Sequence, residues 1–399
     1  MPARLMRGAV AALSLSLTLA LAAPSSRAAD DAYDLHIVLP LTGGGAFLGK
    51  AEQEAMNVTA PIMNKDGGIH GKKINLVYHD DQSSPQIAVQ LMNDVMASHP
   101  TVVFGSSISG ICNAMAPLVQ AAGPVMYCLS PSIRTTPGGY VFTASIDSHD
   151  QQRALMTYFQ KKGWKRVALI TTTDASGQDA EKAITDLVKE PDFKDMTLVA
   201  DTHFAPGDVA ITAQIETMRA ANPQVIVSWA TAAAGATVFR GLKQAGIDLP
   251  SAASGSNMTV QQMTDYASFL PKEIFFGVSE WAANGDPRLS VPAEVVAQQK
   301  LFFESMKKIG TYPDAGIELG WEPIRTVVAA LNKLPAGADA KALHDFMINW
   351  QGHIGTEGLY DFKKTPQRGL NVDNAVVVRW DGTKKEWHLV SNLRGVPLE

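Results

Sequence analysis

Short apolar runs alternate with longer amphipathic stretches along most of the chain. Strand-like runs lie at Leu35–Leu39, Ile74–Tyr78, Thr101–Phe104, Val125–Cys128, Tyr140–Ala144, Arg166–Thr171, Thr197–Thr202, Val225–Trp229 and Ile274–Val278. Helix-period patterns fall between them at Ala51–Asn64, Gln86–Ala97, Ala114–Ala121, Gln151–Lys162, Ala180–Lys189, Ala210–Ala221, Ala234–Ala245 and Val295–Ile309. Apolar strands separated by helices build parallel βαβ units. The first strands form one such series and Arg166–Trp229 starts a second, so the pattern predicts an α/β protein of two Rossmann-like, doubly wound lobes. Near the end, Ala375–Trp380 and Glu386–Val390 flank Asp381-Gly382, a β-hairpin pattern with its turn at Asp-Gly. No low-complexity tether separates the lobes, which implies that the chain passes between them several times.

Composition narrows the functional classes. The 399 residues are 46% hydrophobic and 18% charged, with a net charge of -5. That is enough chain for two sizeable cores, and it offers no polybasic surface for nucleic acid or anionic lipid. Arg4 and Arg7 precede an uncharged Ala/Leu-rich stretch from Gly8 to Ala23, and Ser26 and Ala28 suit the −3 and −1 positions of a cleavage site. Residues 1–28 therefore read as an export signal, and the mature protein is expected to be soluble in the periplasm. Export places Cys112 and Cys128 in an oxidising compartment. A disulfide and two buried thiols both fit the pattern.

Enzyme chemistries fail one at a time. Gly44, then four residues, then Gly49-Lys50 resembles a phosphate-binding loop, but Ala51 stands where a magnesium-binding Ser or Thr is required. Asp80, at the end of an apolar run, then reads as a loop or cap residue. Ser107 sits in Gly105-Ser-Ser-Ile-Ser-Gly110, which does not meet the Gly-x-Ser-x-Gly elbow. The nine histidines are scattered singly, without zinc-site spacing. Asp80 and Asp81, adjacent at a strand end, point to opposite faces and make a poor acid–base pair. Neither catalysis, cofactor nor metal is expected. Serines and backbone amides at strand-to-helix turns suit binding of a carboxylate instead. Gly105–Gly110 and Ser130-Pro-Ser132 are two such turns on neighbouring strands, at the edge where open α/β sheets bind ligands.

The ordered set of motifs resembles the periplasmic solute-binding proteins of branched-chain amino acid ABC transporters, the leucine/isoleucine/valine-binding type. The resemblance spans Pro40-Leu-Thr-Gly43 and Gly49, Asn64-Lys-Asp-Gly-Gly-Ile-His-Gly-Lys-Lys-Ile74, Asp80-Asp81, Gly105 with Ser109, and Asp150-Gln-Gln152. It continues through Gly163-Trp-Lys-Arg-Val-Ala168, Asp174 with Gly177, Pro206-Gly-Asp208, Gly320-Trp321 and Gly355 through Phe362. It implies a type I periplasmic binding fold with three hinge crossings between an N-terminal lobe (33–147 plus 281–352) and a C-terminal lobe (148–280 plus 353–399). It also implies a monomer that closes on a small ligand and docks on a membrane permease.

By position, Ser109 is expected on the ligand carboxylate, with Ser107, Ser130 and Ser132 in the same pocket and Phe47 packing from the first glycine loop. The family's pattern is broken where specificity is set. Ser176 replaces the aromatic of Asp-x-Tyr-Gly, Thr231 or Ala232 replaces a second tyrosine, and Asn257 stands where an acid holds the ligand's α-ammonium. A buried ammonium without a carboxylate is costly, so the expected ligand keeps its carboxylate, lacks the amino group and uses the freed space for bulk, as an aromatic acid would. Trp229, Trp281 and Trp321 are candidate walls or core. An amino acid ligand, or a sensor of the same fold, is the alternative.

Overall fold

The computed structural model describes residues 32–231 and 233–398. The expected export signal lies outside the described residues. The first sheet is built from β1 (Tyr33–Leu39), α1 (Ala46–Lys65), β2 (Ile74–Asp80), α2 (Pro85–Met96), β3 (Val102–Gly105), α3 (Ser109–Val119), β4 (Val125–Cys128) and β5 (Val141–Thr143). Its five strands are all parallel, in the order β2-β1-β3-β4-β5.

A second series follows: α4 (Ser148–Lys161), β6 (Arg166–Thr172), α5 (Ala175–Leu187), β7 (Thr197–Phe204), α6 (Thr212–Ala220), β8 (Val225–Trp229), α7 (Ala234–Gln244), β9 (Ser251–Ala253), α8 (Val260–Asp265) and β10 (Ile274–Ser279). The chain then returns to the first lobe through α9 (Ala293–Lys308), α10 (Ala315–Lys333) and α11 (Ala340–Met347). It leaves again past the β11 (Gln351–Gly355) and β12 (Gly358–Asp361) ribbon for β13 (Ala375–Asp381) and β14 (Glu386–Leu389). The second sheet has the order β14-β13-β10-β9-β8-β6-β7, parallel except where β13 and β14 join antiparallel. This is the α/β architecture that the pattern predicts.

Both parallel series share one topology. In each, the first strand lies second from the edge and the chain changes winding direction beside it, between β1 and β3 and between β6 and β8. Loops diverge at such a point and leave a crevice at the strand ends.

Three differences from the predicted elements have physical causes. Helices α10 and α11 were not expected. Gly316, Gly320 and Pro323 interrupt α10, and it is buried on nearly all sides, so its sequence lacks the polar face that marks a surface helix. Helices α1, α3 and α5 each begin about five residues before the predicted start, because their first turns face a cavity rather than the core and carry Gly, Ser and Ala. The hairpin turns at the expected Asp-Gly, but through a four-residue loop, 382–385, rather than a two-residue one. Asp381 Oδ1 accepts from Thr383 N and Lys384 N, and the left-handed residue closing the loop is Lys385 at φ 56°.

Candidate functional site

Both switch points open into one cavity of about 320 Å³. From the first lobe, Gly44, Gly45, Phe47 and Leu48 reach it after β1, Ser83 after β2, and Ser107 to Gly110 after β3. From the second lobe come Asp174, Ala175 and Ser176 after β6, Pro206 after β7, Thr231, Ala233 and Ala234 after β8, and Ser256 after β9. Most of this lining is apolar, and Asp174 is the one ionisable side chain among the described lining residues.

The loop after β1 is held by Asp80. Its Oδ1 accepts from Leu41 N at 3.0 Å, Thr42 N at 3.1 Å and Gln82 N at 2.9 Å, and its Oδ2 from Thr42 Oγ1 at 2.7 Å. Burial works against this charge, but the Thr42 hydroxyl and the backbone amides outweigh it and hold the carboxyl below its usual range. Gly43 sits at φ +83°, and a Cβ there would meet Gln82 O at 2.7 Å, so only glycine fits this turn. Ser83 Oγ completes the anchor, donating to Thr42 O at 2.8 Å and accepting from Gly45 N at 3.0 Å.

The helices meeting the cavity start in two ways. Elsewhere, α2, α4, α10 and α11 are capped by Ser84, Asp147, Asp314 and Asp339. In contrast α1, α3 and α7, whose first turns line the cavity, have no side-chain cap. Away from the cavity, α6 and α9 also lack one. The first N–H groups of a helix have no partner inside it, and the positive end of the dipole favours an anion there. Three such ends converge on one cavity, and no cationic side chain is among its described lining. The fourth end, α5, is closed by Asp174, whose Oδ1 accepts from Gly177 N at 2.9 Å and Thr172 Oγ1 at 3.0 Å.

The structure brings together five of the expected site residues: Phe47, Ser107, Ser109, Ser176 and Thr231 all line the cavity. Phe47 does so from the first turn of α1 rather than from a loop. Ser109 Oγ lies 2.7 Å from Ser130 Oγ, while Thr143 Oγ1 donates to Ser130 O at 2.7 Å. Ser130 is therefore buried behind Ser109 and supports it. Ser176 Oγ accepts from Trp229 Nε1 at 3.2 Å, which fixes both side chains.

Other expected residues are placed elsewhere. Ser132 is half-buried and outside the lining. Asn257 is buried beside Gly235, behind its neighbour Ser256, and neither atom of its amide has a hydrogen-bond partner. Trp321 lies in the core with Phe302, at a centroid distance of 5.3 Å, because α10 turns that face inward. Trp229 and Trp281 are core residues too. Cys112 and Cys128 are joined as a disulfide with Cα atoms 6.2 Å apart, tying the start of α3 to the end of β4.

One participant escaped the sequence reading. Glu52 is fully buried on α1, and its Oε2 lies 3.0 Å from Ser107 Oγ. The signal was present: Leu48, Glu52, Ala55, Met56, Thr59, Ala60 and Met63 form the buried stripe of α1, and Glu52 is its one charged member. Asp147, His149 and Asp150 also come within reach of one another. Asp147 is occupied there by Asp150 N and by Arg134 Nη1, both within 2.9 Å, so the group reads as an ion-paired helix cap.

The family model for periplasmic binding proteins matches residues 37–385. The chain belongs to that family. The "Leu/Ile/Val-binding protein homolog 3" of Brucella melitensis is 26% identical over 216 residues, 53% of this chain and 58% of that protein. The match thus spans little more than half the length of that relative. Among solved structures, the branched-chain amino acid transporter substrate-binding protein LivJ of Streptococcus pneumoniae, in complex with isoleucine, superposes with TM-score 0.73 at 20% identity, over 90% of this chain and 99% of that one. An ABC transporter solute-binding protein of R. palustris, in complex with benzoate, superposes with TM-score 0.73 at 18% identity, over 92% and 97%. At these identities the superpositions establish the two-lobed fold of the family.

Proposed function

We propose that this periplasmic binding protein is the exported receptor of an ABC importer, and that it takes a small carboxylate without an α-amino group, an aromatic acid fitting best. The ligand sits between a lobe of residues 33–147 plus 281–352 and a lobe of 148–280 plus 353–399. It is released to a membrane permease without being chemically changed. The carrying observation is the convergence of three uncapped helix N-termini with Ser107 and Ser109 on a mostly apolar cavity without a cationic side chain. Backbone N–H groups and hydroxyls satisfy a carboxylate there, and Phe47, Leu48 and Ile108 cover an apolar body. The volume is at the small end for ligand sites. No acid occupies position 257, and Asp174, the ionisable lining residue, already caps α5.

A second reading, an amino acid ligand, is favoured by that same Asp174, whose charge at the cavity wall offers an ammonium a partner. Thermal-shift titration with benzoate, 4-hydroxybenzoate, aliphatic acids and leucine separates the two. A ligand at a hundred times its Kd stabilises the folded state by about 2.7 kcal/mol. Benzoate-type acids are expected to raise Tm and leucine to leave it unchanged. A rise with leucine alone, abolished by Asp174→Asn, would establish the amino acid reading instead.

A further inference from the structure

Behind the cavity wall lies a buried acid that ligand binding by backbone and hydroxyl groups does not by itself require. Glu52 Oε2 is 3.0 Å from Ser107 Oγ, and Ser107 lines the cavity. The other carboxyl oxygen, Oε1, is buried without a hydrogen-bond partner. An ionised carboxylate with one oxygen left bare in the interior is strongly disfavoured, whereas a neutral carboxyl tolerates it far better. The roles in the contact depend on that choice. Ionised, Glu52 can only accept, and it consumes the single hydrogen of Ser107. Neutral, it can donate to Ser107 Oγ and leave that hydrogen free.

We propose that Glu52 is a positioning residue of the cleft: in its neutral form it donates its proton to Ser107 Oγ and so turns the Ser107 hydroxyl hydrogen out to the ligand carboxylate. This rests on the reading of the cavity as a carboxylate site. It makes the pair a selector of ligand charge, because an ionised Glu52 would both withdraw the donor and repel the anion.

The surroundings of Glu52 agree. Its desolvation raises the carboxyl well above the usual range, against the lowering effect of Ser107, and the nearby Asp81 raises it further. Asp81 comes from the loop after β2, accepts from Ser83 N at 2.8 Å, and is itself pushed up to about 6 by burial. From α10, packed along α1, Glu318 is turned to Glu357 and Glu322 to Thr356 and His353. From α9, Lys300, Glu304 and Lys307 line a separate surface groove. On α1 itself Lys50 and Glu54 are exposed, with Glu54 accepting from Thr311 Oγ1. None of these provides a cation to hold Glu52 ionised.

Infrared difference spectra of ligand-free wild type against Glu52→Gln at pH 7 test the protonation directly. The expected result is the carbonyl band of a buried, protonated carboxyl; a carboxylate band in its place overturns the proposal. Calorimetric titration with benzoate tests the consequence. Glu52→Gln, whose carboxamide can also donate to Ser107, should bind within about threefold of wild type. Ser107→Ala should weaken binding about tenfold or more, the usual effect of losing a hydrogen bond to a charged group. Equal affinities of wild type and Ser107→Ala overturn the proposal. Should wild type bind leucine and not benzoate, the carboxylate-only reading fails, while the infrared result and the same variants titrated with leucine still decide the role of Glu52.

Discussion

Gly320 sets the distance between α1 and α10 by lacking a side chain. A Cβ there would lie 2.3 Å from Glu52 O and 2.7 Å from Glu52 Cα, and both are backbone atoms that no rotamer change can move. Gly320→Ala therefore has to push the helices apart along a packed interface. Overpacking of this kind costs about 1–3 kcal/mol, and it displaces the residue that carries the Ser107 contact. Urea denaturation should show a lower midpoint at unchanged slope, and benzoate affinity should fall with it; an unchanged midpoint would mean that the interface yields freely. The same scale shows why the specificity positions were only partly legible. Ser176 and Thr231 were placed at the cavity by motif order, which fixes backbone position well. Asn257 was placed there as well, but its neighbour Ser256 lines the cavity instead, because a one-residue step turns a side chain from the cavity into the protein.

Among elements, the link between α3 and β4 bears most directly on the site. The Cys112–Cys128 disulfide joins the helix that starts at Ser109 to the strand that leads to Ser130, and it closes a loop with a sequence separation of 16. A loop of that length is worth roughly 3 kcal/mol in the chain-entropy account. The Cys112→Ser/Cys128→Ser variant is expected to unfold at correspondingly lower denaturant, and reductant should lower wild type but not the variant. Identical curves with and without reductant would contradict this. The alternation of strands and helices was readable because a two-residue and a 3.6-residue period leave different traces. It failed where burial erased the contrast, as in α10, and where function replaced it. The first turns of α1, α3 and α5 carry Gly, Ser and Ala, residues that read as loop. Those three turns face the cavity, as does that of α7, whose start at Ala234 was read correctly, so these misread boundaries fall at the candidate site.

At the scale of the whole molecule, the three crossings between lobes are stitched to one another. Ser279 Oγ, on the second crossing, donates to Glu357 Oε1 of the third at 2.5 Å, and Ser145 of the first lies 3.5 Å from Ser279. Gln299 Nε2 bridges the second and third, donating to Glu280 O at 2.9 Å and Thr356 O at 3.2 Å. Arg368 donates to Ala144 O and Ser145 O of the first. Glu280 lies in this knot, and a Cβ at Gly358 would come within 2.4 Å of its Oε1. Burial pushes its carboxyl from an ordinary 4.5 up to about 8; Asn374 opposes the rise and the Glu357 charge adds to it. The folded state then holds a proton that the unfolded chain gives up above its ordinary value. Stability from this group is complete below about 4.5, declines as pH rises, and is lost by about 8, by up to ~1.4 kcal/mol per pH unit. Glu280→Gln cannot ionise, so the difference in unfolding free energy between it and wild type should grow in favour of the variant from pH 5 to 8. Parallel stability profiles over that range would place Glu280 in contact with water and the hinge open to solvent. A widening gap would show that Glu280 stays protonated in a dry joint between the crossings.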